Sequence, residues 1–299
     1  MSTTTSPAPS AAAGGTGLTF SGVLRSEWIK FRSLRSTQLL LLFTFVAVVG
    51  VGTIAAFLRG TIIHQLMKFG AERPGAVGGH TLTMDQAISA AGAQGINIYG
   101  TPIAGLQLGI LVLGALAVLL ISSEFGTGMI RSTMTAVPKR LPTFLAKAIV
   151  LVVVSYVLTL LAAFATFLIS IPILHSYGIS MSLGLDGVVY SIFMGGVYVA
   201  GVALMGLSLG TLIRSSAGGV IVLVALFFLL EIATSLLGLV PGDFWKYVGQ
   251  YVPSVAGGRM LEIGDKAAFI SPLSGGLIFL GWIVLVTVPA VISLKTRDV

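Results

Sequence analysis

Six long apolar runs, separated by short polar or basic connections, dominate the pattern of this chain. They cover about 38–58, 103–123, 148–174, 187–213, 217–240 and 273–294. None alternates with a period of two, and each exceeds the ~10 residues of a barrel strand. Each is long enough to cross a ~30 Å hydrocarbon core as a helix. The expected fold is therefore an all-α integral membrane protein with six transmembrane helices, one domain over 18–299.

The stretch before the first run has a different pattern. In Phe20 to Ser36, helical spacing puts Phe20, Val23, Leu24, Trp28, Phe31 and Leu34 on one face. Arg25, Ser26, Lys30, Arg32 and Ser33 fall on the other, while Glu27 intrudes into the apolar arc and Ile29 into the polar one. This segment reads either as an interfacial amphipathic helix, with Arg25, Glu27, Trp28, Lys30 and Arg32 as its marked positions, or as a basic flank orienting the first span. Residues 1–17 are small, polar and rich in Pro and Gly, and read as a disordered tail.

Composition fixes the solvent. Apolar residues make up 56% and charged residues 9%, against about 25% charge in a soluble domain. There is no cysteine, which excludes disulfides and thiolate metal sites. The net charge of +7 reads as cytoplasmic basic residues rather than a nucleic-acid footprint. With the N-terminus inside, eleven of the seventeen Lys and Arg fall in inside segments and six in the longer outside loops. The positive-inside rule thus places both termini in the cytoplasm of a multi-pass protein of the cell membrane.

The connections carry further signals. Thr83-Met84-Asp85-Gln86, in the long outside loop 59–102, has the pattern of a capping box opening a short helix before Gly95. Segment 241–272 reads either as short helices dipping into the outer leaflet or as an aromatic belt of Trp245, Tyr247 and Tyr251. The inside connection Glu124 to Lys147 is basic and can form a short helix over Phe125 to Val137, ended by Pro138. It reads as a docking element for a partner or as a loop that fixes topology.

Candidate chemistry is sparse. Gly206-Leu207-Ser208-Leu209-Gly210 matches a nucleophile elbow, but lies in an apolar helix, where small residues serve close packing. The three histidines His64, His80 and His175 are scattered, and no phosphate-binding G-x-x-x-x-G-K-[ST] loop is present. Glu231 lies deep in the fifth span, about 20 Å from its inner end. Such a carboxylate lines a pathway or ties two helices together, and Gln107 in the second span is a weaker candidate of the same kind.

Two stretches carry a family resemblance. Leu24 to Thr37, LRSEWIKFRSLRST, and the run SSEFGTGMIRSTMTAVPKR after the second span resemble permease subunits of the ABC-2 type of ABC transporters. The layout agrees from Leu24 to Arg297. The resemblance implies that the loop after Glu124 is a coupling helix docking on a separate cytoplasmic ATPase, with Glu124, Thr127, Gly128 and Arg131 at the contact. Family members often show Glu followed by Gly-Thr, whereas here Thr127 precedes Gly128. The resemblance also implies a pair of permeases (homodimer or heterodimer) beneath two ATPase domains, export, and a pathway lined by the second and fifth spans, hence by Gln107 and Glu231. ATP and Mg would belong to the partner, and this chain would be no enzyme and hold no cofactor. The alternatives are a membrane anchor or regulator that recruits a cytoplasmic partner without transport, and, more remotely, an intramembrane hydrolase using Ser208.

Overall fold

The computed structural model describes residues 19–71, 82–129, 140–185, 187–240, 243–262 and 270–296. The tail 1–17 and the stretch 130–139, with Arg131 and Lys139, lie outside the described residues. Among those described all regular structure is helical, with no strand, and six helices are long and apolar enough to span a membrane.

The elements in order are α1 (Phe20–Ser33), α2 (Arg35–Ala71), α3 (Met84–Ala93), a 3-10 turn (Ile98–Ile103), α4 (Leu106–Gly126), α5 (Arg140–Ser176) and α6 (Val188–Ile213). They continue with α7 (Ser216–Leu237), α8 (Asp243–Val248), α9 (Pro253–Arg259) and α10 (Pro272–Thr296). Helices α2, α4, α5, α6, α7 and α10 are the candidate spans. They run alternately up and down, so the bundle has a proximal end, where α1 lies, and a distal end capped by α3, α8 and α9.

Helix α6 is the centre. It is the most buried of the six spans and packs against α4, α5 and α10. Close approach to α4 depends on glycine. A Cβ at Gly206 would stand 2.5 Å from the carbonyl oxygen of Gly114, and one at Gly210 would stand 2.8 Å from that of Val118. This is the small-residue seam expected where apolar lipid offers helices no hydrophobic drive to associate. The elbow-like motif is part of it. Ser208 is fully buried mid-helix, donating to the Leu204 carbonyl at 2.8 Å and lying 3.0 Å from the Thr287 hydroxyl of α10.

Helix ends differ from the expected spans in ways that matter. Helix α2 does not stop at Leu58 but continues to Ala71, so Arg59 and Lys68, expected in a loop, are helical. At 1.5 Å per residue its 37 residues reach about 55 Å, well beyond a hydrocarbon core. The emergent turns have something to pack on. Ile63 joins a distal cluster with Ala87 and Ala91 of α3, Leu174 and Val188. Helix α3 starts as its sequence predicts: the Thr83 side chain accepts from Gln86 N, and the Gln86 side chain accepts from Thr83 N. Gly95, at φ +82°, turns the chain just beyond it.

The supposed loop 124–147 is shorter than expected. Helix α4 runs through Phe125 to Gly126, and α5 begins at Arg140 rather than Ala148. Glu124 and Lys147 are therefore helical positions, and Phe125 belongs to the span rather than to a separate short helix. Segment 241–272 does form short helices, and α9 packs against α10 in the bundle. Tyr247 and Tyr251 stay about half exposed, as an aromatic belt would be. The Trp282 indole donates to the Tyr251 carbonyl at 2.8 Å and anchors the segment to α10.

Candidate functional site

Two places concentrate polar groups in an otherwise apolar body, one at each end. At the proximal end, Thr19 caps α1 by accepting from Gly22 N. The face that α1 buries is Val23, Glu27 and Phe31, spaced by one turn. Glu27, the misfit of the helical wheel, is thus at the centre of the buried stripe. Trp28 instead leaves the interface and is about half exposed, as an interfacial ring would be.

Burying Glu27 is tolerable because Lys147 meets it. Lys147 Nζ donates to Glu27 Oε2 at 2.7 Å and to Glu124 Oε1 at 2.8 Å. Lys30 Nζ adds contacts of 2.9 Å to Glu27 and 3.8 Å to Glu124. Glu27, Glu124 and Lys147 are all buried. Two carboxylates and two ammonium groups balance, and they join α1, the end of α4 and the start of α5. Packing surrounds them: Phe31 and Phe144 share a cluster with Ala148, Leu151 and Leu294. A cavity of about 360 Å³ opens beside the charges, bordered by Phe31, Thr127 and Met129. The second carboxylate oxygen of Glu124 is buried with no partner among the described residues.

The electrostatics give a pH dependence. Burial raises the Glu27 pKa, but the charges and hydrogen bonds of Lys147 and Lys30 outweigh it and hold the carboxyl below its usual 4.5. A depressed carboxyl stabilises the folded form above its unfolded pKa, and that contribution is lost as pH falls through the folded value. Helix α1 is therefore expected to stay docked at neutral pH and to detach on acidification below 4.5. Trp28 emission in a Trp245→Phe, Trp282→Phe background reports this, and Glu27→Gln should abolish the acid transition.

Around this cluster the predicted coupling residues are only partly brought together. Glu124 is in it, Thr127 ends α4 with its hydroxyl on the Ser123 carbonyl, and Gly128 follows at φ +71°, a conformation that favours glycine. Arg131 lies outside the described residues. Of the α1 positions, Glu27 and Lys30 join the cluster, while Arg25 and Arg32 stay exposed. The fourth-to-fifth connection is a tight turn: Arg214 takes φ 55°, and Ser215 caps α7 by accepting from Gly218 N. The Arg214 guanidinium lies 5.0 Å from the Phe125 ring.

At the distal end a cavity of about 1000 Å³ lies among the 3-10 turn and helices α4, α6, α7 and α9. Both residues predicted to line a pathway, Gln107 and Glu231, border it. Glu231 follows a π-helical turn, Ala225–Leu229, that interrupts α7. Such a turn widens the helix and is frequent at functional sites. The Glu231 carboxylate makes no hydrogen bond or ion pair among the described residues. Arg59, Tyr198 and Arg259 share the cavity wall. Arg259 is buried, donating to the Ile270 carbonyl at 2.8 Å and pairing with Glu262 at 2.7 Å. The Tyr198 hydroxyl donates to the Ser254 carbonyl.

The chain matches no family model and no curated protein.

Three residues of these sites were not singled out by pattern. Lys147 had a readable signal, since a charge inside the arc of α1 demands a buried counter-charge. Arg59 and Arg259 had none, because each was assigned to a loop. Among the described residues, no three His, Asp or Glu side chains converge as a metal site would require, and His64 packs edge-on to Tyr177.

Proposed function

We propose that this chain is the membrane-spanning permease subunit of an ABC exporter, driven by ATP that a separate cytoplasmic ATPase hydrolyses. In this reading the proximal end is cytoplasmic, α1 is the interfacial helix, and the stretch from Thr127 to Lys139 docks the ATPase. The observation that carries the reading is the Lys147–Glu27–Glu124 cluster. It clamps together α1 and the two span helices that bracket the docking stretch. A force applied to that stretch then reaches α4 and α5 at fixed points instead of dissipating in a loose loop. Helix α4 carries Glu124 at one end and Gln107 at the other, roughly 25 Å apart along one rigid element. A displacement at the proximal end is thereby delivered to the distal cavity wall. A second copy of the chain would complete the transporter, and the sequence supports an outside source of energy because it has no phosphate-binding loop.

The test is reconstitution. An ATPase is expected to co-purify with the chain from native membranes, and the pair to hydrolyse ATP in nanodiscs. Gly128→Trp or Arg131→Glu should lower ATPase recovery several-fold while the chain remains inserted. Purification free of any ATPase, or ATPase recovery indifferent to both substitutions, overturns the reading.

A further inference from the structure

The distal cavity is lined by two arginines and two glutamates, and only two of the four pair with each other. Arg259 and Glu262 are paired at 2.7 Å. Arg59 reaches across from α2 to donate one hydrogen bond, from Nη1 to the Thr101 hydroxyl at 2.9 Å, and meets no carboxylate among the described residues. Glu231, on α7, meets no cation there either. Both are half-buried on the wall of one cavity. A half-buried charge left unanswered is costly and marks a place where something else supplies the partner. Two opposite charges that share a cavity without closing on each other leave space for a molecule carrying both. The guanidinium has five N–H donors in a planar fork, and Thr101 takes only one, so the remainder suit a carboxylate or phosphate. Ile103, Leu106 and Leu261 add apolar wall to the same cavity. At about 1000 Å³ the space suits a drug-sized molecule, and is far too small for a folded protein.

We propose that the distal cavity binds a zwitterionic amphiphile, its anionic group on Arg59, its ammonium on Glu231, and its apolar part against Ile103, Leu106 and Leu261. Its standing as cargo rests on the permease reading above, whereas the binding itself does not and needs no ATPase to be measured. Two sources supply this chemistry, a short apolar peptide with free termini and a phosphoethanolamine lipid.

The experiment is calorimetric titration of the full chain in nanodiscs. The probes are trileucine with both termini free, its N-acetylated, C-amidated and doubly blocked forms, and a short-chain lysophosphoethanolamine. A free-terminus zwitterion should bind, and blocking either end should weaken it by roughly tenfold. Glu231→Gln should weaken the C-amidated form and spare the N-acetylated one, and Arg59→Gln should do the converse. This crossed pattern also shows that each variant is folded, because each retains one ligand. Tighter binding of lysophosphoethanolamine assigns the lipid source, and tighter trileucine assigns the peptide. The proposal is overturned if the doubly blocked peptide binds as well as the free one, if neither zwitterion binds, or if the losses do not follow the charge removed. An ATPase missing from the purified chain would sink the permease reading and leave this result standing.

Discussion

Lys147→Met should destabilise the folded chain by about 3–5 kcal/mol, the range for breaking a buried ion pair by removing one partner. The substitution nearly preserves volume, so the loss is electrostatic. Lys147 contacts both Glu27 and Glu124 at under 3 Å. Without it, two buried carboxylates share the single remaining ammonium of Lys30, which is more than a third exposed and stands 3.8 Å from Glu124. The unpaired charge is left in a site walled by Phe31, Leu120 and Val150. Removing a carboxylate as well restores the balance. In Lys147→Met, Glu124→Gln, the Glu27–Lys30 pair remains and net charge returns to zero, so about half of the lost stability should come back. The pair couples because the residues touch, which is the condition under which a double-mutant cycle departs from additivity. Unfolding titrated with SDS in mixed micelles measures both. A Lys147→Met protein within about 1 kcal/mol of the parent would mean that water reaches the cluster and that it clamps nothing.

The same cluster shows where reading the sequence succeeds and where it stops. Hydropathy locates the six described helices that are long and apolar enough to span a membrane, because backbone groups in lipid have to be satisfied within the segment and leave a long apolar signature. The capping box at Thr83 was legible for a similar reason: all its partners lie within three residues. Glu27 is the opposite case. A helical wheel treats one helix at a time, so a carboxylate inside the apolar arc counts as an imperfection. Its partner, Lys147, is 120 residues away. Likewise Arg59 ends the first uncharged run, which by hydropathy alone marks the start of a loop. In the folded chain α2 continues because α3 and the end of α5 cover its distal turns. Gln107 and Glu231 were found as polar residues in apolar runs, and the structure places both on one cavity. What the sequence could not show was Arg59 on the same wall, which turns a lone carboxylate into one of two opposite charges.

Gly206→Leu should be the second severe substitution, costing about 3 kcal/mol, at the upper end of the range for overpacking a filled interior. The obstacle decides the magnitude. The first added carbon would stand 2.5 Å from the Gly114 carbonyl oxygen and 3.1 Å from Ala117 Cβ. Both belong to the body of α4, and a backbone oxygen has no rotamer with which to step aside. The helices must separate, and Leu113, Leu116 and Val202 of the same core lose contact with them. Two comparisons isolate this cause. At Gly196 the nearest atoms belong to the Tyr156 ring, a side chain that can turn away, so Gly196→Ala should cost less than Gly206→Ala. At Gly50 nothing lies within 4 Å of the added carbon, so Gly50→Leu should be neutral or stabilising by up to about 1 kcal/mol, the helix propensity gained over glycine. SDS titration of the three sites should therefore rank them by the stiffness of what the new carbon meets. If Gly206→Leu unfolds alongside Gly50→Leu, α4 and α6 are not in the contact described. The separation also predicts a functional loss. Helix α4 joins the buried charges at one end to the cavity at the other, and shifting it off α6 alters the Gln107 wall even where the chain still inserts.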